Sequence, residues 1–408
     1  MYSYKIGISA EEHDHFVKNS DQVNLLQSSN WAKIKDNWNN ERIGFYKDGR
    51  LVATASILIR RLPLGLTMLY IPRGPIMNYS NIELVTFVID SLKKIAKTKR
   101  ALFIKFDPSL ILKSYLIGEN VEENINTLKT IEILQKCGAE WTGRTQNISQ
   151  SIQPRYQANV YTKENIINTF PKHTKRLIKD SDKRGVQTYR GTIDDLKAFS
   201  NVIALTESRK GVSLRNEEYF RKLMKIYGND AYLHLAKVNL PKRLEQYKAQ
   251  LIEIQDNLSE TSDNQKKRLK KLKQQETSIK KYITELEDYV KDYVKDYDKE
   301  LVIAGILSIK FGNTMEMLYA GMNEDFKKFY PQYKLYPRVF EDAYNDNIIW
   351  ANMGGVEGSL DDGLTKFKSN FAPHIEEFIG EFNIPVNKVL YRVSNFVYEL
   401  RKKLRNKH

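Results

Sequence analysis

Asp361-Asp-Gly-Leu-Thr-Lys-Phe-Lys368 sets an aromatic ring, Phe367, beside a cation, Lys368, at the expected start of a helix or loop near a sheet edge. That pair suits the end of a nucleotide. The ring can stack on a base, and the ammonium can meet a phosphate or a developing oxyanion. Taken alone, the commonplace alternative is a solvated lysine on an amphipathic turn. Just upstream, Gly354-Gly-Val-Glu-Gly358 follows a strand-like apolar run. Such a loop can bring backbone N–H groups close to a ligand, although a plain turn is the more common outcome. Arg215, in Ser-Leu-Arg-Asn-Glu-Glu-Tyr219, has the same ambiguity between bidentate phosphate binding and a solvated surface position.

Other chemistries find little support. The 6 His are scattered, and the 1 Cys, Cys137, leaves no Cys-cluster zinc site and no internal disulfide. No metal and no resident cofactor are expected. Cys137, at an apparent helix end, is expected to be a buried structural thiol. There is no P-loop, no G-x-S-x-G elbow and no clear pyrophosphate loop for acetyl-CoA. No apolar run approaches the ~18 residues of a membrane-spanning helix, and the N-terminus has no secretory pattern. The cytoplasm is the expected compartment.

The elements that must position these residues include an internal repeat. Leu51–Ile59 resembles Leu301–Ile309, and Met68–Gly74 resembles Met317–Asn323. Each copy continues into a helical pattern and another strand: Leu84–Lys97 then Ala101–Phe106, and Val339–Asn345 then Ile348–Met353. A duplicated α/β domain follows, with mixed sheets carrying helices on their faces. In the first copy, Lys47-Asp-Gly-Arg50 joins two strands by a tight hairpin turn. In the second, the equivalent strands Ala231–Val238 and Leu301–Ile309 are separated by a long insert. Leu244, Leu251 and Leu258, then Leu272, Ile279, Leu286 and Tyr293, recur every seven residues there, broken at Ser259–Asn264. That pattern predicts an antiparallel coiled-coil arm inserted into a β-hairpin. The expected organisation is 1–153 for domain one, 154–240 with 298–385 for domain two, 241–297 for the arm, and 386–408 for a basic C-terminal helix.

Charge adds a partner class. Lys and Arg number 65 against 50 Asp and Glu, a net +15. Residues 172–184 hold 6 basic and 2 acidic side chains, and residues 388–408 hold 7 and 1. Such clustering favours a polyanionic partner, nucleic acid, a phosphorylated substrate or an anionic membrane surface, over a merely soluble basic protein. In the tail, Val393, Phe396, Val397, Leu400 and Leu404 form a helical stripe. It is expected to pack on a domain, leaving Arg401, Lys402, Lys403, Arg405 and Lys407 for anionic lipid.

Several strings together resemble the Fem/Mur aminoacyltransferases. They are Gln27-Ser-Ser-Asn-Trp-Ala-Lys-Ile-Lys-Asp-Asn-Trp38, Pro72-Arg-Gly-Pro75, Phe106-Asp-Pro108, Ile152-Gln-Pro-Arg155, Arg215 to Tyr219, Leu318-Tyr-Ala-Gly321 and Gly354-Gly-Val-Glu357. The similarity spans nearly the whole chain, and within the family it looks like the MurM/MurN type, which carries a helical arm. The resemblance implies tandem GNAT-like domains, with the C-terminal segment folded onto domain one. It implies transfer of Ala or Ser from aminoacyl-tRNA to the stem-peptide lysine, or to the first bridge residue, of lipid II at the inner face of the plasma membrane. It places Lys33 or Lys35 and Arg215 on the precursor's phosphates and Tyr219 in the acceptor site. Asp107 would line the acceptor cleft, and Tyr319 would contact substrate. Phe367 and Lys368 would meet the tRNA acceptor end, with Lys368 stabilising the charge that develops on the ester. The rival reading is a non-catalytic tRNA- or membrane-binding adaptor with the same fold.

Overall fold

The computed structural model describes residues 1–210, 215–295 and 300–393, with only the backbone described at 207–210. In chain order the strands are β1 Tyr2–Ile6, β2 Asn39–Lys47, β3 Arg50–Arg61, β4 Thr67–Arg73, β5 Ile76–Met77, β6 Ala101–Pro108, β7 Ile111–Leu116 and β8 Glu140–Trp141. The second half adds β9 Tyr156–Tyr161, β10 Gln187–Gly191, β11 Ala231–Val238, β12 Leu301–Phe311, β13 Thr314–Met322, β14 Trp350–Val356, β15 His374–Phe378 and β16 Phe382–Pro385. They form two sheets, β1-β2-β3-β4-β6-β16-β8 with β5 on β3, and β10-β11-β12-β13-β14-β9-β15-β7.

The repeat is present in both sheets. β2, β3 and β4 are antiparallel neighbours, and a helix then returns the chain to β6, parallel to β4. β11, β12 and β13 do the same, followed by a helix and by β14, parallel to β13. The first crossover helix, Ile82–Thr98, starts where the Asn81 side chain accepts from Leu84 N–H. It buries Leu84, Val88, Leu92 and Ile95 on one face, the spacing that the sequence carries. Truncating Leu92, which has no exposed surface, to Ala would cost about 2–5 kcal/mol. The second crossover helix, Pro331–Asn345, begins with a proline in its first turn and buries Leu335, Val339 and Phe340.

The insert separates the copies, as the heptads predict. β2 and β3 turn at Asp48 and Gly49, both at positive φ as a type I′ turn requires. Between β11 and β12 stand the helices Leu240–Glu260 and Lys266–Tyr293. Lys248 pairs with Glu287 at 2.8 Å, and Gln255 meets Glu276 at 3.4 Å, so the helices are antiparallel. The stripe is buried only at the base, through Leu244, Tyr247, Ile283 and Leu286. Arg184 clamps that base, lying over Tyr282 at 5.1 Å and over Phe329 at 5.7 Å and pairing with Glu285 at 3.4 Å. Part of the basic cluster at 172–184 is therefore structural.

Sheet membership cuts across a division of the chain at 153. β7, from the first half, pairs with β15 in the second sheet. β16, near the C-terminus, pairs with β6 and β8 in the first. Phe382 of β16 stacks on Phe106 of β6 at 5.3 Å, which fixes it there. From β16 the chain continues over the first sheet: Val386 N–H donates to Leu102 O at 3.0 Å, residues 388–393 are helical, and Tyr391 packs on Phe103 at 5.2 Å. The remainder of the tail stripe, from Phe396 to Leu404, lies outside the described residues. Cys137 is half-buried rather than buried, because it caps the helix Ile125–Lys136 at the surface.

Candidate active site

Two helix ends face each other across a cleft between the halves of the molecule. On one side is the short helix Ser29–Ile34, started by the Ser28 hydroxyl, which accepts from Trp31 N–H at 3.1 Å. Lys35 caps its C-terminal end, where a cation is favoured, and sits 4.9 Å from the Trp31 ring. On the other side is the helix Glu217–Tyr227, whose cap Asn216 accepts from Tyr219 N–H at 3.1 Å and holds Arg215 just ahead of the first turn. The cleft is about 840 Å³, with Leu58 and Tyr70 in its wall. Lys35, Arg215, Arg221, Lys222 and Lys225 line it against only Asp36 and Glu218. Lys222 is tied to Asp36 and Arg221 to Glu217. Lys35 and Arg215 make no ion pair among the described residues. Burial, and then the neighbouring Arg215 charge, push the Lys35 ammonium below its ordinary value. Two like charges held together without a counter-charge form a site for an anion with more than one phosphate oxygen.

The sequence-predicted residues divide. Lys35, Arg215 and Tyr219 come together in this cleft. Lys33 does not: two positions away on a helical turn, it points elsewhere, is exposed, and donates to Asn30 Oδ1 at 2.9 Å. Tyr319 stands next to Tyr219, ring to ring at 6.0 Å, outside the cleft lining. Asp107 is a correction: it does not line the cleft but is 2 % exposed behind it. β6 pairs Asp107 with Pro72 of β4, which turns the carboxylate under Arg73. Tyr70, in the cleft wall, lies near the Asp107 carboxylate, but its hydroxyl makes no hydrogen bond among the described residues.

Arg73 is the side chain that single-motif reasoning missed. It is 2 % exposed, and its backbone adopts a left-handed φ of 53°. Its N–H donates to Asp107 Oδ1 at 3.2 Å, its Nη2 to Pro154 O at 2.8 Å, and its guanidinium lies 4.2 Å from the Phe378 ring of the second sheet. The same charge acts on three carboxyls, Asp107, Glu316 and Glu376. Burial dominates all three. It pushes Asp107 up to about 7 and Glu316 up to about 8, and it raises Glu376. An Arg inside a Pro-Arg-Gly-Pro string was the available signal.

Lys368 lies at the other end of this polar strip. The helix Gly363–Ser369 is started by Asp362, which accepts from Leu364 N–H at 2.7 Å. Lys368 is buried rather than solvated, and its Nζ donates to Gly355 O at 2.8 Å. Gly355 has to be glycine: a Cβ there would stand 2.4 Å from Pro154 Cβ. Gly354, at φ 85°, makes the turn that exposes this carbonyl, and Asn352 Oδ1 accepts from its N–H at 2.7 Å. Asn352 also donates to Gln157 at 2.9 Å. Phe367 is half-buried, with Tyr336 at 5.4 Å and Phe371 at 5.6 Å, so packing already fixes its ring. The helix Lys172–Lys183 is tied to the same corner, where Thr174 donates to Asn370 O at 2.9 Å. Among the described residues, no group of three or more His, Cys, Asp or Glu is arranged to hold a metal ion.

This arrangement belongs to a known family. The FemAB family pattern matches residues 8–399, and the chain is a member of it. The fold is a tandem pair of GNAT-like acyltransferase domains with an inserted helical hairpin, and the protein is an acyltransferase. The lipid II:glycine glycyltransferase of Staphylococcus aureus strain MRSA252 is 27% identical over 410 residues, covering 95% of this chain and 94% of that protein. The enzyme of the same name from strain NCTC 8325 is equally similar, at 27% over 410 residues. The crystal structure of FemX superposes with a TM-score of 0.78 at 25% identity, covering 96% of this chain and 99% of that one. Among the described residues, no helix is long and apolar enough to cross a membrane.

Proposed function

We propose that this acyltransferase moves a small aminoacyl group from aminoacyl-tRNA to an amine of the peptidoglycan precursor lipid II, extending the interpeptide bridge at the membrane surface. The observation that carries this reading is the Lys35–Arg215 pair, two uncompensated cations in a cleft large enough for a diphosphate-linked peptide. Relatives named for lipid II support the acceptor. The donor is Ala or Ser in the MurM/MurN reading. Gly, the residue named for the staphylococcal relatives, is the competing donor. The exposed basic residues Lys172 and Arg176, in the helix tied to the Phe367–Lys368 corner, support a tRNA partner.

In the proposed reaction, the acceptor amine nitrogen attacks the ester carbonyl. The amide C–N bond forms, the ester C–O bond breaks, and the ribose oxygen leaves with a proton. The amine must shed its own proton, since free lysine titrates near ~10.4. Asp107, held near neutrality behind the cleft wall, is the carboxyl we assign to take it. Lys368 stabilises the developing oxyanion from its anchorage on Gly355. Orientation of the two substrates contributes the rest, up to about 7–11 kcal/mol in favourable cases.

The test mixes purified protein, lipid II and tRNA charged with labelled Ala, Ser or Gly, and follows label into the lipid. Incorporation identifies the donor, and repeating it with lipid II that already carries one added residue places the enzyme in the bridge. Tight tRNA binding with no incorporation from any donor would replace this reading with the adaptor.

A further inference from the structure

The β3–β4 turn, Arg60-Arg-Leu-Pro-Leu-Gly-Leu66, has no part in the site described above. Leu64 is 88% exposed at a left-handed φ of 62°, a conformation that favours glycine or asparagine. Arg60, Arg61 and Pro63 are exposed around it, and Arg100 donates to Leu64 O at 3.4 Å. The turn is continuous with the cleft. Leu62 at its base packs on the cluster of Ala32, Leu58, Met68 and Tyr70, and Leu58 faces Tyr70 across the ladder in the cleft wall. Leu64 is six residues along the chain from Leu58, past the end of β3, which puts the tip no more than about 20 Å from that wall at ~3.3 Å per residue.

A second segment, remote in sequence, reaches the same face. Phe103 packs on that cluster and carries Tyr391 at 5.2 Å. The helical stretch 388–393 therefore lies over this side of the first sheet. It exposes Val389 (71%), Leu390 (43%) and Val393 (54%) beside the exposed Lys388 and Arg392. Neither the turn nor this stretch contains an acidic residue. Exposed aliphatic tips flanked in sequence by arginine and lysine match the interface of an anionic bilayer, where apolar groups enter the acyl boundary and cations meet phosphates.

We propose that the β3–β4 turn and the 388–393 helix together dock on anionic lipid headgroups, with Leu64 inserted, and so present the cleft to a lipid-linked acceptor. The inference rests on the acceptor proposed above, and it adds the surface that meets the membrane. Sedimentation of the full chain with vesicles of phosphatidylcholine, with and without phosphatidylglycerol, tests it directly. The wild type is expected to bind the anionic vesicles, less so at high salt. Leu64→Asn suits the left-handed backbone, so its melting temperature should not fall. Combined with Arg61→Ser it should lower partitioning roughly tenfold or more. The same double variant should raise KM for lipid II in vesicles and leave it unchanged for a soluble short-chain diphosphate analogue. Undiminished vesicle binding by the double variant, or none by the wild type, would overturn the docking surface, as would an equal loss with the soluble acceptor. Vesicle binding through this turn with no aminoacyl transfer to either acceptor would instead refute the proposed activity and leave the surface standing.

Discussion

The two copies of the strand–strand–helix–strand unit end differently. β4 and β6 stay paired from Thr67 and Ala101 to Arg73 and Pro108. β13 and β14 pair only from Thr314 and Trp350 to Glu316 and Asn352, then part, while β13 runs on beside β12 to Met322. The first copy is zipped, and it contributes Tyr70, Leu58 and Lys35 to the cationic cleft, with Arg215 opposite from the second half. The second copy is splayed, and its chemistry lies at the opening, where Gly354, Gly355 and Lys368 meet. One architecture thus offers two kinds of site. A closed ladder gives a wall for a bulky charged acceptor. An open ladder leaves room for side chains, Asn352 and Lys368, to bond the backbone of Gly354 and Gly355. Arg73 joins them, because it sits at the end of the zipped pair while its guanidinium reaches Pro154 and Phe378.

If the copies divide the labour in this way, variants should separate by kinetic constant. The largest effect belongs to the splayed copy. Lys368→Met should lower kcat about 10²–10³-fold with little change in acceptor KM, as loss of an oxyanion donor does. Near-normal turnover with both substrates saturating would remove Lys368 from the reaction. Next come Lys35→Ala and Arg215→Ala, on the two sides of the cleft between the copies. Each deletes a charged contact worth about 1.5–3 kcal/mol, so acceptor KM should rise roughly 10- to 100-fold while kcat holds. A fall in kcat instead would show that the cleft does more than bind.

A pH profile tests Asp107, which lies beneath Arg73. Its pKa of about 7 predicts that kcat/KM rises with pH through that region, since the deprotonated carboxylate is the base. In Asp107→Asn that limb should vanish. Stability gives an independent readout with the opposite sign. The folded chain keeps this proton to about 7, whereas the unfolded chain releases it near ~3.9, so folding stability contributed by this group falls as pH rises between them. The Asn variant, unable to ionise, should lose that slope in pH-dependent denaturation. An unchanged rate profile with a lost stability slope would mark Asp107 as a buried structural carboxyl only.

The sequence alone determined what local rules govern. Asp48-Gly49 specified a tight hairpin, helical spacing in Leu84–Lys97 specified a crossover helix, and seven-residue spacing specified a helix pair in place of the second hairpin turn. The duplication itself was legible because both copies keep that order of elements. Charge type at Lys35, Arg215 and Lys368 was legible too, as was the Gly354-Gly355 loop. What those residues do to one another was not. The choice between Lys33 and Lys35 depended on which side of one short helix turn faces the opposite helix. The burial of Asp107 depended on pleat direction beneath Arg73. The exchange of β7 and β16 between sheets could not be read from segments of six and four residues, because their sheet is chosen by contacts with strands far away in sequence, such as Phe382 on Phe106. Local periodicity fixes which face of an element is apolar. Only tertiary packing decides which charges end up without an ion pair, and among the described residues Lys35 and Arg215 are two such charges brought to one cleft.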